Sequence, residues 1–446
     1  MAKLCQDKTM RKLLIVGSGG REHAIAWAIR NTASEPVELL CAPGNAGIAE
    51  VAQLVNIHID AHEKLAAFAE AEQIDLTFVG PEAPLAAGIV DLFESRGLRI
   101  VGPTRGAARL EGSKIFAKEF MSRHRVPTAA FRTAGSPSEA IAHLRSGEFG
   151  SADSAVVIKA DGLAAGKGVV VAASRAEAEK AIEDLMVHHS AGREAAQQVV
   201  IEQALTGREA SVLVFADGRD YAVMPAARDH KRIGENDTGP NTGGMGTITD
   251  ASVLDKAWQS RVVRDMVEPT LAGAQQEGFP FKGVLFLGVM LTTDGPKLLE
   301  YNVRFGDPET QAILVRLKTD LVHICEAMRE GTLGRLKLEW AGGASACVVA
   351  ANRGYPGKYE SGAEIEGLEA VDESRVHVFH AGTSRAPNGK VTATGGRVLG
   401  VTAAAEDLPG ALDLCYEALG KISWPGMQFR RDIGRALVSP ADVESL

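Results

Sequence analysis

One hairpin constrains this chain more than any other segment. An apolar run, Gly283-Val-Leu-Phe-Leu-Gly-Val-Met290, leads through the turn Thr293-Asp-Gly-Pro296 into a second run that ends in Glu300-Tyr-Asn-Val-Arg304. Side chains two apart on a strand share a face. Glu300 and Asn302 therefore project together, with Arg304 beside them if the strand continues. A carboxylate and an amide oxygen suit a hard cation such as Mg²⁺, which takes oxygen ligands and completes its shell with nucleotide phosphates. Glu300 alone would fit an ordinary surface strand equally well.

Its natural complement is Val156-Val-Ile-Lys-Ala-Asp-Gly-Leu-Ala-Ala-Gly-Lys-Gly-Val-Val-Val-Ala172. Two β-branched runs flank a loop holding Gly162, Gly166 and Gly168, the pattern of a hairpin. Glycine lets a phosphate approach backbone N–H groups with no Cβ in the way. Lys159 and Lys167 add point charges for a polyphosphate. The segment is not a Walker A loop. The spacing from Gly162 to Gly166-Lys167 is one residue short, Gly168 stands where Ser or Thr would hold Mg²⁺, and a strand follows rather than a helix.

The first third alternates strands and helices. Lys12–Gly17, Val37–Cys41, Leu76–Val79 and Leu98–Val101 read as strands, with a helix from Glu22 to Ile29. That pattern predicts a doubly wound parallel sheet with ligand loops at its C-terminal edge. Gly17-Ser-Gly-Gly20 is not a dinucleotide fingerprint, because Glu22 takes the third glycine position and no acidic residue closes the second strand. A phosphate at the helix N-terminus, such as the 5-phosphate of a ribose ligand, remains compatible with it. Further on, a helix over Ser113–His124, two strands, a helix over Arg175–Val187 and the strand Gln198–Ile201 predict a small lid. Arg208–Phe215 opens a larger sheet. Beyond Leu333 the strands 344–352, 375–380 and 396–402 predict a smaller, mainly structural domain with at most a rim contact to substrate.

A chain of 446 residues is too long for one core, and roughly two to four domains are expected. A net charge of −9 and the lack of a Lys/Arg block argue against nucleic acid. No apolar run reaches membrane-spanning length, and Met1–Met10 lacks the apolar core of a signal peptide. The five cysteines have no paired spacing, so neither zinc nor disulfides are indicated. A reduced, cytoplasmic enzyme is expected.

Arg304-Phe-Gly-Asp-Pro-Glu-Thr-Gln311 is one of several motifs that stand in a familiar order. The others are Gly17-Ser-Gly-Gly-Arg-Glu-His-Ala24, Ala42-Pro-Gly-Asn-Ala-Gly47, Val79-Gly-Pro-Glu-Ala-Pro-Leu85, Leu110-Glu-Gly-Ser-Lys114, Asp229-His-Lys-Arg232 and Asp237-Thr-Gly-Pro-Asn-Thr-Gly-Gly-Met-Gly246. From Met10 to near its C-terminus the chain resembles the glycinamide ribonucleotide synthetases (phosphoribosylamine–glycine ligases), ATP-grasp enzymes of purine biosynthesis. The resemblance implies an ATP-grasp fold of α/β and α+β class. It has a doubly wound parallel-sheet N-terminal domain at 10–110, an ATP-grasp region at 111–332 with a mobile lid at about 130–202, and a mixed α/β C-terminal domain at 333–446. It implies ATP with Mg²⁺ or Mn²⁺ as cofactors, glycine and 5-phosphoribosylamine as substrates, and a monomer. Another ATP-grasp carboxylate–amine ligase or carboxylase is the alternative, and a silent nucleotide-binding module a more distant one.

The same resemblance distributes roles. Lys114, Lys159, Gly162, Gly166, Lys167 and Gly168 would hold the nucleotide phosphates. The backbone through Leu205 would read the adenine edge, with Glu202 near its amino group and Glu209 on the ribose hydroxyls. Glu300 and Asn302 would hold the metal. Gly19, Gly20, Arg21, Glu22, Asn45, Pro81 and Glu82 would line the ribosyl site, and Lys231, Gly243 and Gly244 the loop facing it, where amides of Asn241–Gly246 could surround an anion. Asp229 would hold the amine. Arg304, whose fork fits a planar carboxylate, would receive glycine, with Asp307 and Glu309 either orienting it or capping the next helix. Lys159, Lys167, Asp229 and Arg304 form the expected catalytic set. His23 and His230 are expected to be structural.

Overall fold

The computed structural model describes residues 10–163, 168–190, 192 and 197–435. Its N-terminal sheet has five parallel strands, in the order Gln53–Leu54, Val37–Pro43, Arg11–Gly17, Leu76–Val79 and Ile100–Val101. The central strand is a continuous apolar run because both its faces are covered. Leu14 and Val16 pack into one core, Leu13 and Ile15 into the other. The loops 17–20, 43–47 and 80–82 follow three strands that are neighbours in the sheet and gather at its C-terminal edge, as such sheets present their ligand loops.

The lid is a four-stranded antiparallel sheet, ordered Phe131–Ala134, Val199–Gln203, Val156–Ala160 and Val169–Ala172. Helices Pro137–Arg145 and Arg175–Ile182 cover it, and their buried Ala140, Leu144, Ala178 and Ile182 join Ile158 and Ile201 in a core of their own. The second helix is regular only to Ile182. Residues Glu183–Val187 continue it in wider turns.

The largest sheet has ten strands. Its main path runs Gly295–Asn302, Lys282–Thr292, Arg208–Asp217, Ala227–Asp229, Gly246–Thr249, Ala344–Asn352, Arg397–Ala405, Val376–His380. Gly246–Thr249 pairs directly with Ala344–Asn352, so the strands beyond Leu333 extend the sheet that carries the hairpin Lys282–Asn302. Within that hairpin Gly288 faces Glu300 whereas Val289 faces Leu298, which leaves Leu299 as an extra, bulged residue. The bulge lets Leu298 and Tyr301 both enter the core while Glu300 turns to the opposite side.

Candidate active site

Glu300 sits in a ring of cations. Burial works to raise its pKa, yet Lys231, Lys159, Lys114 and Arg304 together hold it below the usual carboxylate range. It therefore stays anionic and available to a divalent ion. Asn302 lies two residues along the same strand, and its Oδ1 accepts from Arg304 Nη2 at 3.1 Å. Among the described residues no group of three or more His, Cys, Asp or Glu could hold a metal on its own. One carboxylate, one amide oxygen and a surround of cations fit an ion shared with a polyphosphate better than a closed protein cage.

The lid contributes Lys159, whose Nζ donates to the bulged Leu299 carbonyl at 3.0 Å and lies 3.0 Å from Glu202 Oε1. Glu202, expected at the adenine amino group, is buried, and its other oxygen stands 3.0 Å from Lys118. Its carboxylate is a holder of lysines. Leu205 lies in the linker between strands Val199–Gln203 and Arg208–Asp217, outside both ladders. Lys114 opens the helix Lys114–Arg123 and donates from Nζ to the Gly162 carbonyl at 3.1 Å. Asp161 fastens the same loop to the same helix. Its carboxylate accepts from Ser113 Oγ at 2.9 Å and from the Ile115 N–H at 2.8 Å. Gly168 is buried, and its carbonyl accepts from the Ala160 N–H at 2.8 Å. Gly166 and Lys167 lie outside the described residues.

Lys231 joins the nucleotide side to the substrate side. Burial opposes its charge, but Glu209 and Glu300 raise its pKa overall. Its side chain is 41% accessible. Its Nζ lies 2.7 Å from Glu209, so Glu209 pairs with Lys231 rather than with its neighbour Arg208. Asp229 is raised well above the ordinary range, first by burial and then by Glu309, with Lys231 and Arg397 opposing.

The loop after Asp229 departs from expectation. Its amides are already engaged: Thr242 N–H on the Lys231 carbonyl, Gly243 N–H on Tyr355 Oη, Gly244 N–H on Thr242 Oγ1 and Met245 N–H on the His230 carbonyl. They form no anion nest. The carbonyls of Gly243 and Gly244 instead accept from Arg397 Nη1, which also reaches the Asp307 carbonyl at 2.7 Å. A residue from the segment expected to be mainly structural thus clamps the site loop.

The N-terminal loops also spend their polar groups internally. The Gly19 N–H donates to Glu22 Oε2 at 2.5 Å, and the Arg21 N–H to the Asp307 carboxylate. Two protein carboxylates thus occupy donors expected to meet a phosphate at this helix start. Arg21 donates to Glu22 Oε1 at 2.6 Å and to the Phe305 carbonyl at 3.1 Å. The Gln311 amide fills the space a side chain on Gly20 would need. Asn45 has both ends occupied, donating to the Ser18 and His380 carbonyls and accepting from the Gly47 and Ile48 N–H groups. These residues fasten loops together. Pro81 begins the helix Glu82–Ala87, and Glu82 faces Arg304 Nε at 3.4 Å.

Arg304 is oriented by Glu82, Glu111 and Asn302, with Glu111 Oε1 at 2.9 Å. Asp307 and Glu309, expected to orient it, make other bonds: Asp307 to Gln311 and Arg397, Glu309 to Ser211. His23 accepts the His380 N–H on Nδ1, and His230 lies between the Gly246 carbonyl and the Gly434 N–H, so both are structural. Glu111, Lys118, Asp161 and Arg397 were not singled out from the sequence. Leu110–Lys114 carried the one available signal for Glu111, a motif residue beside a nucleotide lysine.

Residues 11–111 match the phosphoribosylglycinamide synthetase N domain, 112–310 its ATP-grasp (A) domain and 345–436 its C domain. The chain is 46% identical over 423 residues to a phosphoribosylamine–glycine ligase of Caldanaerobacter subterraneus, spanning 95% of this chain and 99% of that one. It is 47% identical over 438 residues to the ligase of Pseudomonas aeruginosa, spanning 97% and 100%. The crystal structure of the Thermotoga maritima phosphoribosylamine–glycine ligase superposes with a TM-score of 0.82 at 33% identity, covering 94% of this chain and 99% of that one. A biotin carboxylase domain from Hydrogenobacter thermophilus, solved with MgADP and bicarbonate, covers 94% and 91% with a TM-score of 0.69 at 17% identity, which is a likeness of fold alone.

Proposed function

The chain belongs to the phosphoribosylglycinamide synthetase family of ATP-grasp ligases, and from that premise we propose how its own residues carry the reaction. Its activity is phosphoribosylamine–glycine ligation in purine biosynthesis. The family implies ATP and a divalent metal. The finer reading rests on the cation ring around Glu300.

A carboxylate is a poor acyl donor because its oxygen does not leave. Attack by a glycine carboxylate oxygen on the γ-phosphorus of ATP breaks the bond to the β–γ bridging oxygen, releases ADP and leaves glycyl phosphate. The amine of 5-phosphoribosylamine then adds to the acyl carbon, and phosphate departs with one of the original carboxylate oxygens. Protein groups chiefly position the reactants and neutralise charge. Lys114 and Lys159 hold the polyphosphate from the helix and the lid. The backbone of Gln203–Leu205 reads the adenine edge, and Glu209 accepts from the ribose hydroxyls. Glu300 and Asn302 would hold Mg²⁺ or Mn²⁺, which when bound would supply neutralisation of phosphate charge. Arg304, steadied by Glu82 and Glu111, receives the glycine carboxylate. Asp229, with its raised pKa, suits the proton that the attacking amine must lose.

One chain supplies every group of this site, so the reading takes a monomer. The four described cysteines are buried and unpaired, in keeping with a reducing cytoplasm. No described helix is long and apolar enough to cross a membrane.

An isotope experiment tests the mechanism. Glycine labelled with ¹⁸O in its carboxylate should deliver label to inorganic phosphate, with ADP as the nucleotide product. Label in AMP with release of pyrophosphate would mean adenylation, and unlabelled phosphate would mean that no acyl phosphate forms. Either result overturns the mechanism.

A further inference from the structure

Lys118 lies one turn beyond Lys114 on the same helix, at the spacing that puts two side chains on one face. It is 2% exposed, as is Glu202, and lysines are almost never buried so completely unless paired. Its Nζ stands 3.0 Å from Glu202 Oε2 and donates to Thr128 Oγ1 at 2.6 Å. Thr128 Oγ1 in turn donates to the Leu298 carbonyl at 2.6 Å, on the strand that carries Glu300. The second Glu202 oxygen faces Lys159, which also donates to the Leu299 carbonyl. One buried carboxylate is thus divided between two buried lysines, Lys118 on the helix Lys114–Arg123 and Lys159 on the lid strand Val156–Ala160.

This division decides what Lys159 can do. An ammonium has three donors. One goes to the Leu299 carbonyl, and the ammonium also faces Glu202 Oε1 at 3.0 Å as an ion pair without a formed hydrogen bond, so donor capacity remains for a phosphate. Without Lys118, both oxygens of a buried carboxylate would have a single cation to satisfy them. The cost of leaving such a charge underpaired would draw Lys159 toward Glu202. Burial lowers the pKa of Lys118 to about 8, with Glu202 opposing the shift, so it is still a cation at neutral pH.

We propose that Lys118 is a positioning residue for ATP, holding half of Glu202 so that Lys159 keeps a donor free for the nucleotide phosphates. The inference rests on the reading that Lys159 binds ATP, and the experiment separates the two. In full-length enzyme, Lys118→Met should raise the KM for ATP about tenfold, equivalent to about 1.4 kcal/mol, with the glycine KM within about twofold of the parent. Lys118→Arg, which keeps the charge, should recover most of the loss. In a Glu202→Gln background, adding Lys118→Met should change the ATP KM no further, because the residue acts through that carboxylate. An unchanged ATP KM in Lys118→Met, an additive double variant, or equal losses for ATP and glycine would each overturn the proposal. Lys159→Met is the control. If it too leaves the ATP KM unmoved, the reading of Lys159 falls, whereas an impaired Lys159→Met beside a normal Lys118→Met sinks only the positioning role. Should Lys118→Met fail to fold, Thr128→Val removes another partner of the same ammonium. It should raise the ATP KM about threefold, and no change there would refute the proposal.

Discussion

Glu300 is held ionised by four cations that come from four different segments, of which Lys114 and Lys159 are also candidate partners for a polyphosphate. This arrangement carries a direct prediction. Glu300→Gln and Asn302→Ala should each lower turnover by about a hundredfold or more, as removal of a preorganised electrostatic group does, with the loss deepening at limiting Mg²⁺. Near-normal rates at limiting Mg²⁺ would show that the residue is not a metal ligand. That Glu300 and Asn302 share one strand was legible in the sequence because a strand's period of two is local. Glu111, Lys118, Asp161 and Arg397 were not. Glu111 meets Arg304 from across nearly two hundred residues, and Arg397 reaches Gly243 over a comparable gap. No spacing rule within one segment announces either contact. Glu202 was expected at the adenine amino group, and nothing local reveals that two lysines meet its carboxylate.

At the scale of elements, the parallel strands were readable from their continuous apolar runs, and the metal hairpin from two such runs and a turn. The bulge at Leu299 was not, although it puts Glu300 in the site and Leu298 in the core. Nor was the junction between Gly246–Thr249 and Ala344–Asn352, because edge pairing between distant strands leaves no local mark. The loop after Asp229 was expected to offer amides to an anion, but those amides are bonded within the protein and its glycines permit close packing. Gly244 has φ +110°, and a Cβ there would stand 2.5 Å from Pro308 Cδ and 2.6 Å from Asp229 Oδ1. Gly244→Ala should therefore cost about 2 kcal/mol of stability and depress glycine-dependent turnover, because relief of the clash must displace either Asp229 or the Arg304–Gln311 loop. Chemical denaturation and steady-state rates check both. An alanine variant of parental stability and activity would show that the loop is not packed as described.

Across the whole molecule, the three matched regions share apolar cores and are also tied together by a seam of buried polar contacts. Asn45 ties the loop after the second N-terminal strand to the His380 carbonyl, Arg21 ties the first helix to Phe305, and Arg397 ties the last sheet strands to the Gly243–Gly244 turn. His23 and His380 lie on this seam. Burial lowers His23 to about 3, with His380 adding to the shift, and lowers His380 to about 4, with Arg385 adding. Away from the seam His230 is lowered to about 4, by burial and then Arg228. The sign follows from linkage. Above pH 6.5 these imidazoles are neutral in both states and contribute no slope. Below it the unfolded chain takes up protons that the native state refuses, so stability falls as pH drops from about 6.5 toward 4, by up to about 1.4 kcal/mol per pH unit for each histidine. Asp229, Glu111 and Glu309, raised in the folded state chiefly by burial, oppose this slope, so the contribution of one histidine is read from the difference between a variant and its parent. His23→Gln keeps an acceptor for the His380 N–H but cannot titrate. It should flatten the dependence of unfolding free energy on pH in that window by about 1 kcal/mol per unit. An unaltered slope, measured by denaturant titration at several pH values, would mean that His23 is protonated in the folded enzyme and that the seam is wetter than its geometry describes.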